Sequence, residues 1–66
     1  SAKALIWYRK AAEQGHADAQ NNLGSVYELG QGVTANRATA TEWYRRAATQ
    51  GHMIARANLR RLSSQE

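Results

Sequence analysis

A ten-residue block occurs twice in the chain, and this internal repeat restricts the fold more than any other feature of the sequence. Residues 7–16 read WYRKAAEQGH and residues 43–52 read WYRRAATQGH, so eight of ten positions are identical at a spacing of 36 residues. A period between about 20 and 50 residues is typical of solenoid proteins, which stack one small unit on the next. Each unit has an apolar face that only its neighbours cover. We therefore expect residues 1–66 to form a single repeat module.

The spacing of apolar residues inside the repeat predicts α-helices and no β-sheet. Apolar side chains recur at intervals of three and four residues, the period of an amphipathic helix, and no stretch alternates with the period of two that strands require. Gly15 and Gly51 stand where helices commonly end in a residue with positive φ, and Asn36 is a suitable N-cap. We therefore predict an all-α fold of antiparallel helical hairpins, with four helices at residues 2–14, 17–29, 37–50 and 53–63.

The two tryptophans are expected to supply much of the packing between units. Trp7 and Trp43 occupy equivalent positions on the apolar stripes of the first and third helices, and a tyrosine follows each of them. Because aromatic side chains bury large apolar areas, we expect both tryptophans to be hidden between the stacked helices. Val33 lies in the longest link, between the second and third helices, and is expected to anchor that link to the core.

Two longer patterns resemble the Sel1-like repeat family. The first is WYRKAAEQGHADAQ at residues 7–20, and the second is NLGxxYxxGxGV at residues 22–33. The resemblance implies a relative of the tetratricopeptide repeat, an α-solenoid in which helical hairpins stack into a right-handed superhelix. It also implies a scaffold for protein–protein interaction without catalysis. For localisation it gives only a slight preference for the envelope of a bacterium or for secretion.

The repeat boundaries divide the chain into one complete unit and two halves. Residues 1–16 are expected to form half a repeat, residues 17–52 a complete repeat, and residues 53–66 a C-terminal half. In the last of these, Arg60 stands where the complete repeat has Gly24, and an arginine at a close helix contact would obstruct a further helix. We therefore expect residues 53–66 to be a cap, which repeat arrays need for solubility, and the chain to be the C-terminal fragment of a longer array.

One face of the second helix and its counterpart on the fourth helix form the predicted binding groove. In related tetratricopeptide arrays an asparagine on this face contacts peptides, and the resemblance assigns that role to Asn22 and Asn58. An asparagine side chain donates and accepts hydrogen bonds at once, although a structural bond to a neighbouring helix is the alternative. Arg61 would make the groove locally positive and favour a carboxylate. By helical spacing the same face includes Asp18, Asn21, Ser25, Glu28 and Arg61.

Leu5 and Ile6 predict a second interface at the end of the first helix. Thr41 and Glu42 take their places in the second copy, so the apolar surface of the first helix is wider than one neighbour covers. We expect the two side chains to pack against a preceding repeat, a partner protein or a second copy, by self-association or helix exchange. Isolated surface apolar residues are the alternative, since they are common in soluble proteins.

The positive charge lies in the second half of the chain and supports an alternative function. Residues 37–62 hold six arginines and Glu42 as their only acid, whereas residues 1–36 are neutral overall. Such a surface attracts anions, so a module that binds polyanions or nucleic acid through the C-terminal arginines is the alternative to a protein scaffold. The aromatic residues that could stack on bases lie on the predicted core stripe, however, which makes nucleic acid the less favoured partner.

The sequence contains no motif that predicts an enzyme, a cofactor site or a metal site. Because cysteine is absent, these residues hold no disulfide bond and no thiolate metal site. His16 and His52 are repeat equivalents at helix starts, and acidic residues do not cluster near either in sequence. Gly30 and Gly32 lack the third glycine of a dinucleotide site. No run of 18 apolar residues occurs, so we expect no membrane insertion. With the protein or peptide partner that the resemblance implies, we expect no cofactor and no catalysis.

Overall fold

The computed structural model describes residues 2–64, apart from the side chains of residues 2 and 4. Four helices occur in this range and no strand: α1 (Ala2–Glu13), α2 (Ala17–Leu29), α3 (Arg37–Thr49) and α4 (Met53–Ser64). The predicted all-α fold with four helices is confirmed. α1 and α3 end one residue before the predicted boundary, and α4 ends one residue beyond it. Residues 1, 65 and 66 of the predicted terminal units lie outside the described range.

α1 and α3 end with the same backbone motif, because the repeat places a glycine at the same point in both. Gly15 adopts φ 96° and Gly51 adopts φ 86°, a conformation that other residues rarely adopt. The Gly15 N–H donates to the carbonyl of Ala12 at 3.0 Å, and the His16 N–H donates to that of Ala11 at 3.2 Å. Equivalent bonds form at Gly51. The tight turn that results brings α2 back antiparallel to α1, and α4 back antiparallel to α3.

Two apolar clusters hold the four helices together. The buried residues of the first cluster belong to α3 and α4, and they are Ala40, Tyr44, Ala47, Ala55 and Leu62. The buried residues of the second belong to α1 and α2, and they are Ala12, Ala19 and Leu23. Tyr27 of α2 packs against both clusters and therefore links the two ends of the chain through one side chain.

α2 and α3 approach each other most closely at Gly24, in the interior of α2. A Cβ atom at this position would lie 2.7 Å from both Cδ1 and Cε1 of Tyr44, which is too close for non-bonded carbon atoms. A glycine in the middle of a helix costs about 1 kcal/mol relative to alanine. Tyr44 is only 1% exposed, so the missing side chain of Gly24 makes room for a buried aromatic ring.

The link between α2 and α3 is fixed at its end by Asn36. The Asn36 N–H donates to the carbonyl of Tyr27 at 2.8 Å, which ties the link back to α2. The Asn36 side chain accepts a hydrogen bond from the Thr39 N–H at 3.1 Å, and this confirms the predicted N-cap of α3. Val33 is half-buried within the link.

The prediction that both tryptophans are hidden is wrong for Trp7. Trp7 is 74% exposed, whereas Trp43 is half-buried and packs against the cluster shared by α1 and α2. The physical reason is the number of neighbours. Trp43 lies on a helix that packs extensively against both α2 and α4, whereas α1 packs extensively only against α2 among the described residues. The apolar stripe that carries Trp7 is therefore only partly covered.

Candidate functional site

A row of polar side chains joins α2 to the start and body of α4 along one surface, which we call the α2–α4 seam. Its α2 members are spaced three or four residues apart, so they share one helical face. The contacts pair residues in increasing order along both helices, so α2 and α4 run in the same direction. The seam consists of Asp18, Asn21, Ser25 and Glu28 together with His52, Asn58 and Arg61.

Asn58 is tied into the helix packing. Its Nδ2 atom donates to Oδ1 of Asn21 at 3.0 Å, and its Oδ1 atom accepts from Nη2 of Arg61 at 3.4 Å. Asn21 is only 9% exposed, so this amide pair lies at the base of the seam. Asn58 thus makes a hydrogen bond to a neighbouring helix. The sequence analysis named such a bond as the alternative to a role in peptide binding.

Asn22 differs from its repeat equivalent, Asn58, in being exposed. Within residues 2–64 its side chain makes no hydrogen bond. Because Asn22 follows Asp18 by four residues and precedes Ser25 by three, it stands on the same face of α2 as they do. Its carbonyl oxygen and both amide hydrogens are therefore open to a ligand beside the seam.

Glu28 is the centre of a charged network at the C-terminal end of α2. Arg61 donates to both carboxylate oxygens, at 2.5 and 2.8 Å, and the Tyr44 hydroxyl donates to Oε1 at 2.8 Å. The Arg61 hydrogen bonds lower the pKa of Glu28, which is 15% exposed at its side chain. Burial and the Glu28 hydrogen bond raise the pKa of Tyr44 to about 12, although a hydrogen bond to the half-buried Ser25 opposes this rise. Arg61 thus already holds a carboxylate, with which a ligand would have to compete.

His52 caps α4 and closes the other end of the seam. Its Nδ1 atom accepts from the Ala55 N–H at 3.1 Å, and its Nε2 atom lies 2.7 Å from Oδ1 of Asp18. Since Nδ1 is an acceptor, the neutral ring carries its proton on Nε2 and donates to Asp18. The Asp18 side chain is 93% exposed, so it presents a carboxylate to solvent at the edge of the seam. His16 makes no equivalent side-chain cap on α2.

Gln20 is a structural residue that the sequence did not single out. Its Nε2 atom donates to the carbonyl of Ala12 at the end of α1, at 3.0 Å, and its Oε1 atom accepts from Nε2 of Gln50 at 2.9 Å. The side chain is 4% exposed. The signal in the sequence was its position between Ala19 and Leu23, on the face of α2 that is buried. Gln20 joins α1, α2 and the end of α3.

The predicted end interface is divided between one inward and one outward side chain. Leu5 is half-buried and packs against the cluster of α1 and α2, whereas Ile6 is 66% exposed. A shallow pocket of about 220 Å³ lies on this side of α1, lined by Leu5, Ile6, Arg9, Lys10 and Glu13. Arg9 is held by a hydrogen bond of 2.6 Å from its Nη2 atom to the Tyr27 hydroxyl.

Four of the six arginines of the second half make contacts within the described part of the chain. Arg45 and Arg46 lie 3.9 and 3.7 Å from the carboxylate of Glu42, although these exposed pairs contribute little to stability. The Nη2 atom of Arg37 donates to the carbonyl of Leu62 at 3.0 Å. Together with Arg61, which is held by Glu28, these arginines already have partners with which a polyanion would have to compete.

The described residues contain no metal cluster. Nowhere between residues 2 and 64 do three histidine or acidic side chains come close enough together to hold an ion. Over the same range, no helix combines the length and the hydropathy that crossing a membrane requires.

Comparison with known proteins settles the family. The sequence model of the Sel1 repeat matches residues 1–16 and 17–52, which is more than half of the chain. The chain belongs to the Sel1 repeat family. The resemblance seen in the sequence is therefore confirmed. Sel1 repeats are helical units of the solenoid type, they generally mediate protein–protein interactions, and they are generally not enzymes.

This Sel1 repeat chain is also similar to part of a bacterial protein. Over 34 residues it is 62% identical to the uncharacterized protein NMB1327 of Neisseria meningitidis serogroup B (strain ATCC BAA-335 / MC58). The matched stretch is 52% of this chain but only 7% of that relative. The likeness thus concerns one small segment of a much longer protein, whose name states no activity.

Proposed function

We propose that this Sel1 repeat chain is a scaffold that binds an extended peptide segment of a partner protein along the α2–α4 seam. The observation that carries the proposal is the contrast between two equivalent asparagines. Asn58 is bonded to Asn21, whereas Asn22 stands exposed on the same side with its amide unpaired among the described residues. Asn58 therefore stabilises the packing of α2 against α4, and Asn22 is available to bind a ligand.

The seam is organised before a ligand arrives. Its polar groups bond to one another, and no buried side-chain nitrogen or oxygen within the described part of the chain lacks a partner. A surface fixed in this way loses little conformational entropy on binding. Rigid presentation of a peptide site, rather than catalysis, is the mechanism that we propose.

The chemistry of the seam indicates how a peptide would lie on it. An extended peptide offers alternating N–H and C=O groups, and the Asn22 amide pairs with one of each. The exposed Asp18 carboxylate adds negative charge on the same face, whereas Arg61 and Glu28 neutralise each other. We therefore expect a preference for peptides that carry a lysine or arginine opposite Asp18.

A display selection tests the groove. A library of random peptides is selected on the full 66-residue chain, and the affinities of enriched peptides are measured for the wild type and for Asn22→Ala. Losing two amide hydrogen bonds should weaken binding by about thirtyfold, since each is worth about 1 kcal/mol. Circular dichroism should show unchanged helicity, because Asn22 makes no hydrogen bond within the described residues.

Gln31→Ala is the matched control for this experiment. It removes an exposed amide from the link between α2 and α3 and should leave peptide affinity within about twofold of the wild type. Equal affinities of the wild type and Asn22→Ala for every enriched peptide would rule out the groove. Losses of the same size in both variants would also contradict it.

We also propose that Leu5 and Ile6, which line one pocket of α1, form an end-packing interface for a further helical unit. The exposed Ile6 and Trp7 side chains support this, together with the half-repeat boundary expected at residue 16. At high concentration the isolated chain should self-associate through this face. Sedimentation should show that Ile6→Ser abolishes the association, whereas Leu29→Ser, which changes an apolar residue of similar exposure, does not. A wild type that stays monomeric contradicts the interface.

The alternative, polyanion binding through the C-terminal arginines, has less support. Arg37 is bonded to a backbone carbonyl of α4, and Arg61 is bonded to Glu28. The carboxylate of Glu42 lies close to both Arg45 and Arg46. A polyanion site would lose affinity steeply with added salt, because each phosphate contact releases counterions. Peptide binding at Asn22 should change little with salt.

A further inference from the structure

The exposed side of α4 carries two arginines that have no acidic partner among residues 2–64. Arg56 and Arg60 are one helical turn apart, so they stand on the same face of the helix. Together with two apolar neighbours they line a shallow pocket of about 200 Å³. We call this face the α4 outer stripe, and it consists of Met53, Arg56, Ala57 and Arg60.

The equivalent stripe on α2 is covered by a helix. Displaced by 36 residues, the members of the α4 outer stripe correspond to Ala17, Gln20, Asn21 and Gly24. Gly24 lies directly beneath the Tyr44 ring of α3, and Gln20 bonds to Gln50 at the end of α3. In this repeat, therefore, the stripe is the surface on which an antiparallel helix packs, and on α4 that surface is open in the described chain.

A helix of the α3 type does not fit the α4 outer stripe. Even one Cβ atom at Gly24 would approach Tyr44 to 2.7 Å, so the much larger Arg60 at the equivalent position leaves no room for a tyrosine ring. The α1 helix of a second copy is excluded for the same reason, because Tyr8 corresponds to Tyr44. Like charges also oppose that pairing, since α1 carries three basic residues and a single acid.

We propose that the α4 outer stripe docks an acidic amphipathic helix of a partner protein. Two carboxylates one turn apart on that helix pair with Arg56 and Arg60, whose guanidinium groups bind carboxylates in a bidentate manner. Apolar residues of the partner cover Met53 and the adjacent Ile54, which are 71% and 63% exposed. Methionine adapts its shape to such contacts. The inference rests on the protein-binding role proposed above but uses a surface separate from the α2–α4 seam.

The composition of the stripe favours a helix over a nucleic acid. Tight binding to a phosphate backbone depends on many cationic contacts, and here only two unpaired arginines stand together. They are interleaved with apolar side chains, which phosphates do not cover. An acidic amphipathic helix satisfies both kinds of residue at once.

Fluorescence anisotropy with a designed probe tests the docking site. The probe is a labelled, cross-linked synthetic helix with a leucine stripe and two glutamates at i and i+4 along its edge, and its matched control has glutamine at both positions. The full chain should bind the glutamate probe about tenfold more tightly than the glutamine probe, since two exposed ion pairs contribute up to about 2 kcal/mol together. The double variant R56Q/R60Q should lose this preference.

R45Q/R46Q is the control protein, because it removes the same charge from α3 rather than from the stripe. It should bind the glutamate probe within about twofold of the wild type. An equal loss in R45Q/R46Q, or equal binding of the two probes, would overturn the proposal. Tighter binding of a single-stranded oligothymidylate than of the glutamate probe, lost in R56Q/R60Q, would assign the stripe to nucleic acid instead.

Two further measurements separate this inference from the other proposals. Asn22→Ala should bind the glutamate probe as the wild type does, so failure of the seam and failure of the stripe give different results. Sedimentation of the wild type and of R56Q/R60Q should show the same oligomeric state. Self-association that disappears in R56Q/R60Q would make a second copy the occupant and overturn the assignment to a partner helix.

Discussion

α1 and α3 carry nearly the same ten residues, yet the structure buries them to very different extents. Tyr44 is 1% exposed and Tyr8 is 37% exposed, although both follow a tryptophan at the same place in the repeat. α3 lies between α2 and α4, whereas among the described residues α1 packs extensively only against α2. Burial in this fold is thus decided by how many helices surround a position, and only secondarily by the residue that occupies it.

The comparison predicts that one substitution has opposite consequences in the two copies. Tyr44→Ala should cost about 3–5 kcal/mol, which is comparable to the total stability of a chain of this size, so the variant should be largely unfolded. Tyr8→Ala should cost less than about 1 kcal/mol. Urea denaturation followed by circular dichroism measures both. Tyr44→Phe is the control, because it keeps the buried ring and loses only the hydrogen bonds of the hydroxyl to Glu28 and Ser25, which should cost about 1–2 kcal/mol. Equal losses in the two alanine variants would contradict the comparison.

Gly24 and Arg60, which occupy equivalent positions of the repeat, allow a second test of how burial differs between the two copies. Gly24→Ala should destabilise the chain by about 1–3 kcal/mol, because the new methyl group collides with the Tyr44 ring and outweighs the gain in helix propensity. Arg60→Ala, at the matching exposed position of α4, should stay within about 0.5 kcal/mol of the wild type. Thermal unfolding measures the pair. A stabilised Gly24→Ala variant would show that the helices separate easily at this contact.

The network around Glu28 should give one hairpin a pH dependence that the other lacks. Because Arg61 lowers the pKa of Glu28 from 4.5, the stabilisation is complete above about pH 4.5 and is lost as pH falls through the lowered pKa. At pH 7, Glu28→Gln should cost less than about 1 kcal/mol, since solvent screens Arg61. Stability measured from pH 7 to pH 2 should show this difference vanish. Glu42→Gln, at an exposed acid, is the control, and a difference independent of pH contradicts the argument.

Fluorescence quenching provides the mildest test, since each variant only replaces one tryptophan by a smaller aromatic residue. In Trp43→Phe the remaining Trp7 should be quenched readily by acrylamide, because it is 74% exposed. In Trp7→Phe the remaining Trp43 should be quenched less, since it is half-buried and has the guanidinium of Arg46 4.8 Å from its ring centre. Similar quenching constants for the two would mean that α1 is covered in solution.

Most of the fold was predictable because it depends on local chemistry. The helix period, the glycines after α1 and α3 and the Asn36 cap are all short-range signals, and each was found where the sequence placed it. Trp7 was predicted wrongly because an apolar stripe shows which face a helix can bury, but not whether a neighbour is there to cover it.

The face of α2 that carries the seam residues was predictable from helical spacing, but the part played by His52 and the pairing with α4 were not. Helical spacing correctly grouped Asn21 and Glu28 on one face of α2. The bonds from Asn58 and Arg61, however, depend on the register between α2 and α4, which packing sets across 33 and 37 residues of sequence. Whether the group binds a peptide stays a prediction.

Gln20 has a consequence for the shape of any stack built from this unit. Apolar contacts tolerate small rotations of one helix over another, but the two hydrogen bonds of Gln20 are directional and buried. They fix the angle at which successive hairpins meet. Replacement by an apolar residue of similar volume would keep the interior filled but would let one hairpin rotate against the next. We therefore expect such a variant to alter the curvature of the assembly more than its melting temperature.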